Sequence, residues 1–158
     1  MVIVVGMGDM KVGENPGSIL TYALGSCIGI SAYDPVLKVG GILHYMLPDA
    51  SLDPNKARKN PYMFGNTGIP LLFKSLYKLG VVKSRIQVKI AGGADMFNAL
   101  GAFNIGKRNY MMARKLLWKN GILITTEDVG GTISRTMRLE LDTGDVFIKC
   151  PGKEPYTL

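Results

Sequence analysis

Histidine is almost missing from this chain: among 158 residues, His44 is the sole imidazole. The two cysteines, Cys27 and Cys150, have no CxxC spacing. With one histidine they do not make up a metal-ligand set, and no metal or other cofactor is expected. So few cysteines argue against a disulfide scaffold and for a reducing cytoplasm, although Cys27 and Cys150 could still pair across the fold. No apolar run approaches the roughly 18 residues needed to span a bilayer. Residues 1–6 lack the positive flank and length of a signal peptide. Acidic side chains are in the minority as well, 12 against 19 Lys and Arg, which leaves a net charge of +7. Nucleic acid is the first partner such a charge suggests, because neutralising phosphates releases counterions. Yet the cations are scattered, from Lys56, Arg58 and Lys59 to Lys107, Arg108, Arg114, Lys115 and Lys119. No RNA-binding aromatic signature or finger spacing accompanies them, so no nucleic acid is expected. An acidic protein partner makes better use of the field, since complementary charge speeds encounter.

What is present describes an ordinary globular protein. With 47% hydrophobic and 20% charged residues, the chain can bury a core without staples, and residues 1–158 read as one domain. Val2–Val5 reads as a strand. The segment Gly6-Met7-Gly8-Asp9-Met10-Lys11 superficially opens a dinucleotide fingerprint, but Lys11 occupies the third glycine position and Pro16 stops a helix. A loop is expected there. Ile28, Ile30 and Ala32 alternate with Gly29, Ser31 and Tyr33, and Ile42, His44 and Met46 with Leu43, Tyr45 and Leu47. That period of two predicts paired strands around a turn on Asp34-Pro35. If the turn centres on Pro35 and Val36, Cys27 faces His44 with Cβ atoms about 4.5–5.5 Å apart. A bulge at Gly40-Gly41 would shift that register and send His44 to the other face.

A thiol becomes nucleophilic near neutral pH only with a base or cation beside it, so the facing pair Cys27 and His44 is a candidate catalytic site. The alternative is two buried residues that happen to share a core face. A tight Gly25-Ser26 turn would aim the backbone N–H groups of Ser26 and Cys27 at a developing oxyanion, or merely start a strand. Residues 49–61 are polar and proline-bearing, and read as a surface loop rimming that site. Farther on, Ile69, Leu72, Leu76 and Leu79 predict a helix, and Ile86, Val88 and Ile90 a strand that ends in Gly92-Gly93. A second helix is expected over 108–119, then a strand over 122–126 followed by Gly130-Gly131, then a hairpin of 132–141 with 146–150. The two Gly-Gly pairs fit turns better than close backbone approach to a site. Few helices and many strands favour mixed sheets with helices packed outside over an all-parallel sheet, hence an α+β fold.

Five blocks of the sequence carry a resemblance. The segment Thr21-Tyr-Ala-Leu-Gly-Ser-Cys27 resembles the Thr-Leu-Gly-Leu-Gly-Ser-Cys segment of the CheD chemoreceptor glutamine deamidases. Leu43-His-Tyr-Met-Leu-Pro48 resembles that family's His-Phe-Met-Leu-Pro motif. Gly92-Gly-Ala-Asp-Met-Phe97, Ile105-Gly-Lys-Arg-Asn109 and Glu127-Asp-Val-Gly-Gly131 are similar to three further blocks, in order. Tyr22-Ala23 departs from the family, and the 49–66 loop matches least. The resemblance implies a fold similar to the catalytic domains of cytotoxic necrotizing factors, a sandwich of mixed β-sheets with flanking helices in α/β/β/α layers. It implies a cytoplasmic enzyme that deamidates glutamines of methyl-accepting chemotaxis receptors, and that binds the phosphatase CheC and stimulates it. It maps the catalytic residues onto Cys27, His44 and Thr21. Tyr62, Met63, Phe64, Asp95, Met96 and Phe97 are the expected substrate or partner contacts at the rim. A purely regulatory protein-binding module of the same pathway is the alternative.

Overall fold

The structure, a computed structural model, describes residues 1–96 and 104–158. Its first sheet holds β1 (Val2–Val5), β3 (Ser18–Leu24), β8 (Arg135–Glu140), β9 (Val146–Lys149) and β10 (Tyr156–Thr157), in that spatial order. The second holds, also in spatial order, β2 (Asp9–Glu14), β5 (Val39–Tyr45), β4 (Ile28–Asp34), β6 (Gln87–Gly92) and β7 (Ile124–Val129). Both sheets are mixed: β1–β3 and β6–β7 run parallel and the other pairs antiparallel. The helices are α1 (Pro54–Lys59), α2 (Gly65–Lys78) and α3 (Ile105–Lys119).

Two apolar layers hold this together. Val5, Ile19, Leu24, Ile42, Met137, Leu139 and Ile148 fill the space between the sheets. Ile28, Ile30, Leu43 and Tyr45 on the other face of the second sheet meet Ile69, Leu72 and Leu76 of α2 and Ala113 and Leu117 of α3. Strands β4 and β5 are therefore buried at every position, being covered on both faces. The α+β sandwich with flanking helices is the expected fold. Its described layers run α/β/β, because α2 and α3 lie on the same sheet while the outer face of the other shows Tyr22, Arg138 and Lys149 to solvent.

The hairpin that joins β4 to β5 differs from expectation in a way that matters for the site. In place of a tight turn on Pro35 and Val36 there is a four-residue loop, residues 35–38. The Asp34 carboxylate accepts the N–H groups of Val36 at 2.9 Å and Leu37 at 3.4 Å, and Lys38 closes the loop in the left-handed region at φ 55°. The register consequently slides by two residues, so that His44 stands opposite Gly29 and not opposite Cys27. A slide of two keeps each side chain on its face. No bulge forms at Gly40-Gly41; the pairing is regular through both. A Cβ at Gly41 would lie 2.8 Å from Val12 Cγ1 and 3.0 Å from Leu72 Cδ1, so close packing of β2 and α2 requires glycine there.

Two other segments read as loops are ordered. Residues 9–14 form β2, paired along the whole of β5. Within 49–61, Asp53 caps α1 and Asn60 caps a 3-10 turn over Pro61–Met63, each followed by proline at the first helical position. Those Asp-Pro and Asn-Pro pairs are helix starts. Among the described residues, no helix is long and apolar enough to cross a membrane.

Candidate active site

The site is assembled across the gap between the sheets. Thr21, on β3 of the first sheet, is fully buried, and its hydroxyl donates to the carbonyl of Val5 at 2.7 Å. The same oxygen lies 2.8 Å from Nδ1 of His44, on β5 of the second sheet. A hydroxyl has one proton, already committed to Val5, so Thr21 accepts from His44. Nδ1 thus carries the imidazole proton and Nε2 presents a bare lone pair. That nitrogen is buried and has no hydrogen-bond partner among the described residues.

Cys27 precedes β4 by one residue and is 7% exposed. The register places it diagonally from His44 on the same face, where Cβ atoms are typically about 7–8 Å apart. The residue directly opposite His44 is Gly29, where a Cβ would lie 2.9 Å from Leu24 Cδ1 and 3.0 Å from Met137 Sδ, so these two side chains pack over it. The Cys27 carbonyl accepts from Gly93 N–H at 2.8 Å, and the Gly25 carbonyl from Ala94 N–H at 2.9 Å. Gly92 and Gly93, read from the sequence as a turn, are thus a close backbone approach to Cys27. A Cβ on Gly92 would lie 2.2 Å from the Cys27 oxygen.

Helix α3 supports the same point from the other side. Gly106 sits so close to the carbonyls of Gly93 and Ala94 that a Cβ would come within 2.5 Å of both. One turn on, Asn109 is fully buried, and its Nδ2 donates to the carbonyls of Ser26 and Met46, each at 2.9 Å. Tyr45 O–H donates to the Asn109 backbone carbonyl at 2.5 Å. The sequence gives Asn109 no role on its own. Its signals are an amide where helical periodicity would place an apolar side chain, and its place at the end of the family-like block Ile105–Asn109.

Burial pushes the Cys27 thiol up to about 11, while its own backbone N–H favours the thiolate and pulls the other way. Burial also pulls His44 down to about 4. At neutral pH the resting pair is therefore thiol and neutral imidazole, not an ion pair. A stability consequence follows for His44. Its unfolded value, 6.5, lies above its folded one, so between these values the unfolded chain binds the extra proton. Stability is complete above pH 6.5 and falls as pH drops toward 4, by about 3 kcal/mol on this group. Denaturant titrations at pH 6.5 and 4 should show that loss in the wild type, and His44→Gln should lose correspondingly less over the same interval.

A cleft of about 320 Å³ opens at Cys27, lined among others by Ser26, Met46, Lys56, Met63, Asp95, Met96 and Asn104. Of the residues expected at the rim, Met63, Asp95 and Met96 line it. Tyr62 is half-buried against the helix-side core, and Phe64 is fully buried. Phe64 is thus a core residue here rather than a rim contact, since it is fully buried at the start of α2 and bridges to Leu47. Phe97 lies outside the described residues. Lys56, from α1, brings a cation to the cleft that sequence spacing did not single out.

The family model for CheD chemotactic sensory transduction matches residues 46–150. "Probable chemoreceptor glutamine deamidase CheD 1" of Syntrophus aciditrophicus (strain SB) is 55% identical over 95% of this chain and 94% of its own length. The "Probable chemoreceptor glutamine deamidase CheD" of Solibacter usitatus (strain Ellin6076) is 52% identical over 96% of this chain and 90% of its own. A protein of the same name from Pyrococcus abyssi (strain GE5 / Orsay) is 47% identical over 93% of this chain and 90% of its own. With the family model spanning most of the chain and relatives this similar along nearly all of it, the chain belongs to the CheD family.

Proposed function

We propose that this chain is a protein-glutamine deamidase that converts glutamine side chains of methyl-accepting chemotaxis receptors to glutamate through a cysteine thioester. The observation that carries the chemistry is the Thr21–His44 hydrogen bond, which leaves the bare Nε2 on the face that Cys27 shares. The relatives' names supply the substrate class.

The reaction follows from these groups. His44 Nε2 takes the Cys27 proton as Sγ bonds to the carboxamide carbon, and the C=O electrons move onto oxygen. Backbone N–H groups at Ser26 and Cys27 are the oxyanion donors in this account. The oxyanion collapses, the C–N bond breaks, and His44 returns its proton to the departing nitrogen as ammonia leaves. Water, activated by the same Nε2, then adds to the thioester and releases glutamate and the thiol. Thr21 keeps the ring in the Nδ1–H tautomer throughout, the third-group role of a triad.

Residues 1–158 act in this proposal as one domain, in the cytoplasm, on the cytoplasmic part of membrane receptors. The same cleft, with Met63, Asp95 and Met96, is also where the phosphatase CheC binds and is stimulated, so partner and receptor compete. The deciding experiment is mass spectrometry of a receptor cytoplasmic fragment before and after incubation. A gain of about 1 Da at specific glutamines with wild type, and none with Cys27→Ala, is expected. No mass change with wild type would leave a regulatory binding module in its place.

A further inference from the structure

The side-chain amide of Asn109 joins two backbone segments at the cleft, the Ser26–Cys27 peptide and Met46, the residue just after β5. An amide nitrogen suits this position, because both partners are carbonyl oxygens and a single NH₂ group offers a proton to each, while Oδ1 is buried without a partner among the described residues. Its placement is overdetermined. Gly106 seats α3 against the Gly93 and Ala94 carbonyls, and Tyr45 O–H fixes the backbone at Asn109 itself.

The Ser26 carbonyl and the Cys27 N–H belong to one planar trans peptide, so they point in opposite directions. With the carbonyl held toward α3, the N–H is turned away from α3. Among the described residues no backbone carbonyl accepts that N–H. It belongs to the nucleophile's own residue, whose thiolate it favours. An N–H beside the nucleophilic sulfur is where the oxygen of a tetrahedral adduct forms.

We infer that Asn109 is a positioning residue: by gripping the Ser26 carbonyl it orients the Cys27 N–H as oxyanion donor, and by gripping Met46 it ties that donor to the strand that carries His44. This rests on the proposed thioester chemistry. Asn109 touches no substrate and acts on the transition state alone, so its loss lowers kcat with little effect on KM.

Two variants test it on the full chain with a receptor fragment as substrate. Asn109→Leu keeps the branching and heavy-atom count of the side chain but is bulkier and has no donor, and kcat should fall about 30-fold or more with KM within threefold, since one misdirected oxyanion donor costs about 10²–10³. Asn109→Asp can donate one proton, but only while its carboxyl is protonated. Its kcat relative to wild type should therefore climb as pH falls from 8 to 5, while Asn109→Leu stays low throughout. A folded Asn109→Leu with kcat within threefold of wild type would overturn the inference, as would a loss confined to KM. If Asn109→Leu does not fold, the Asn109→Asp profile decides, and one without rising relative activity at low pH overturns it too. Full deamidation by Cys27→Ser would instead remove the thioester chemistry itself, whatever Asn109 does.

Discussion

Cys27→Ala and His44→Ala each reduce receptor deamidation by at least about 10⁴-fold, whereas Cys150→Ala leaves the rate unchanged. The size follows from how the two groups depend on one another. With its thiol held near 11, only about one Cys27 in 10⁴ is ionised at pH 7, so direct attack by a standing thiolate is too rare to carry turnover. The proton has to leave during attack, and His44 Nε2 is a buried base without a partner among the described residues. Removing the ring therefore costs nearly as much as removing the sulfur. Thr21→Val is expected to cost less, about 10²-fold, because it removes orientation and tautomer control but not the base. Ammonia release and the mass of the receptor fragment give the rates. A Cys27→Ala protein with measurable turnover, or a His44→Ala protein within tenfold of wild type, would exclude the mechanism.

The parts of this site that the sequence reveals are the local ones. The period-two runs around Cys27 and His44 mark strands, because alternation is a property of neighbouring residues. They put both side chains on one face, and that survives although the register slid by two. The slide itself came from the Asp34 carboxylate and the left-handed Lys38, which lengthen the turn, and sequence spacing alone does not count loop residues. Strand β3 stayed hidden although it carries Thr21. Its partners β1 and β8 are respectively parallel to it and remote in sequence, and its pairing with β8 is irregular between Thr21 and Leu24, where Ala23 takes φ 59°. β2 reads as loop because Gly13 and Pro16 break its pattern, yet β5 supplies a complete ladder of partners. Asn109 escaped for a different reason. Its importance lies in two carbonyls 83 and 63 residues away in sequence.

The pairs Gly92-Gly93 and Gly130-Gly131 look alike in sequence, and substituting one glycine of each should separate them sharply. Gly92→Ala is expected to cost at least about 3 kcal/mol and to lower deamidation by about 10²-fold or more where it folds at all. Gly130→Ala should cost only about 1–2 kcal/mol, the strain of a side chain at positive φ. Both glycines have positive φ, 107° and 85°, so backbone strain alone does not distinguish them. Their surroundings do. A Cβ at Gly130 meets nothing within 4 Å, but one at Gly92 lies 2.2 Å from the Cys27 carbonyl oxygen. That oxygen is held by Gly93 N–H, while the Gly92 carbonyl accepts from Gly130 N–H at 3.0 Å and from Arg135 Nη1 at 3.2 Å. Neither backbone can retreat without breaking these bonds, and a retreat on the Cys27 side shifts its thiol relative to His44. Thermal unfolding and deamidation rates of the two variants, measured side by side, check this. Equal melting temperatures and undiminished activity in Gly92→Ala would mean that the β6 backbone yields to a side chain without disturbing the thiol.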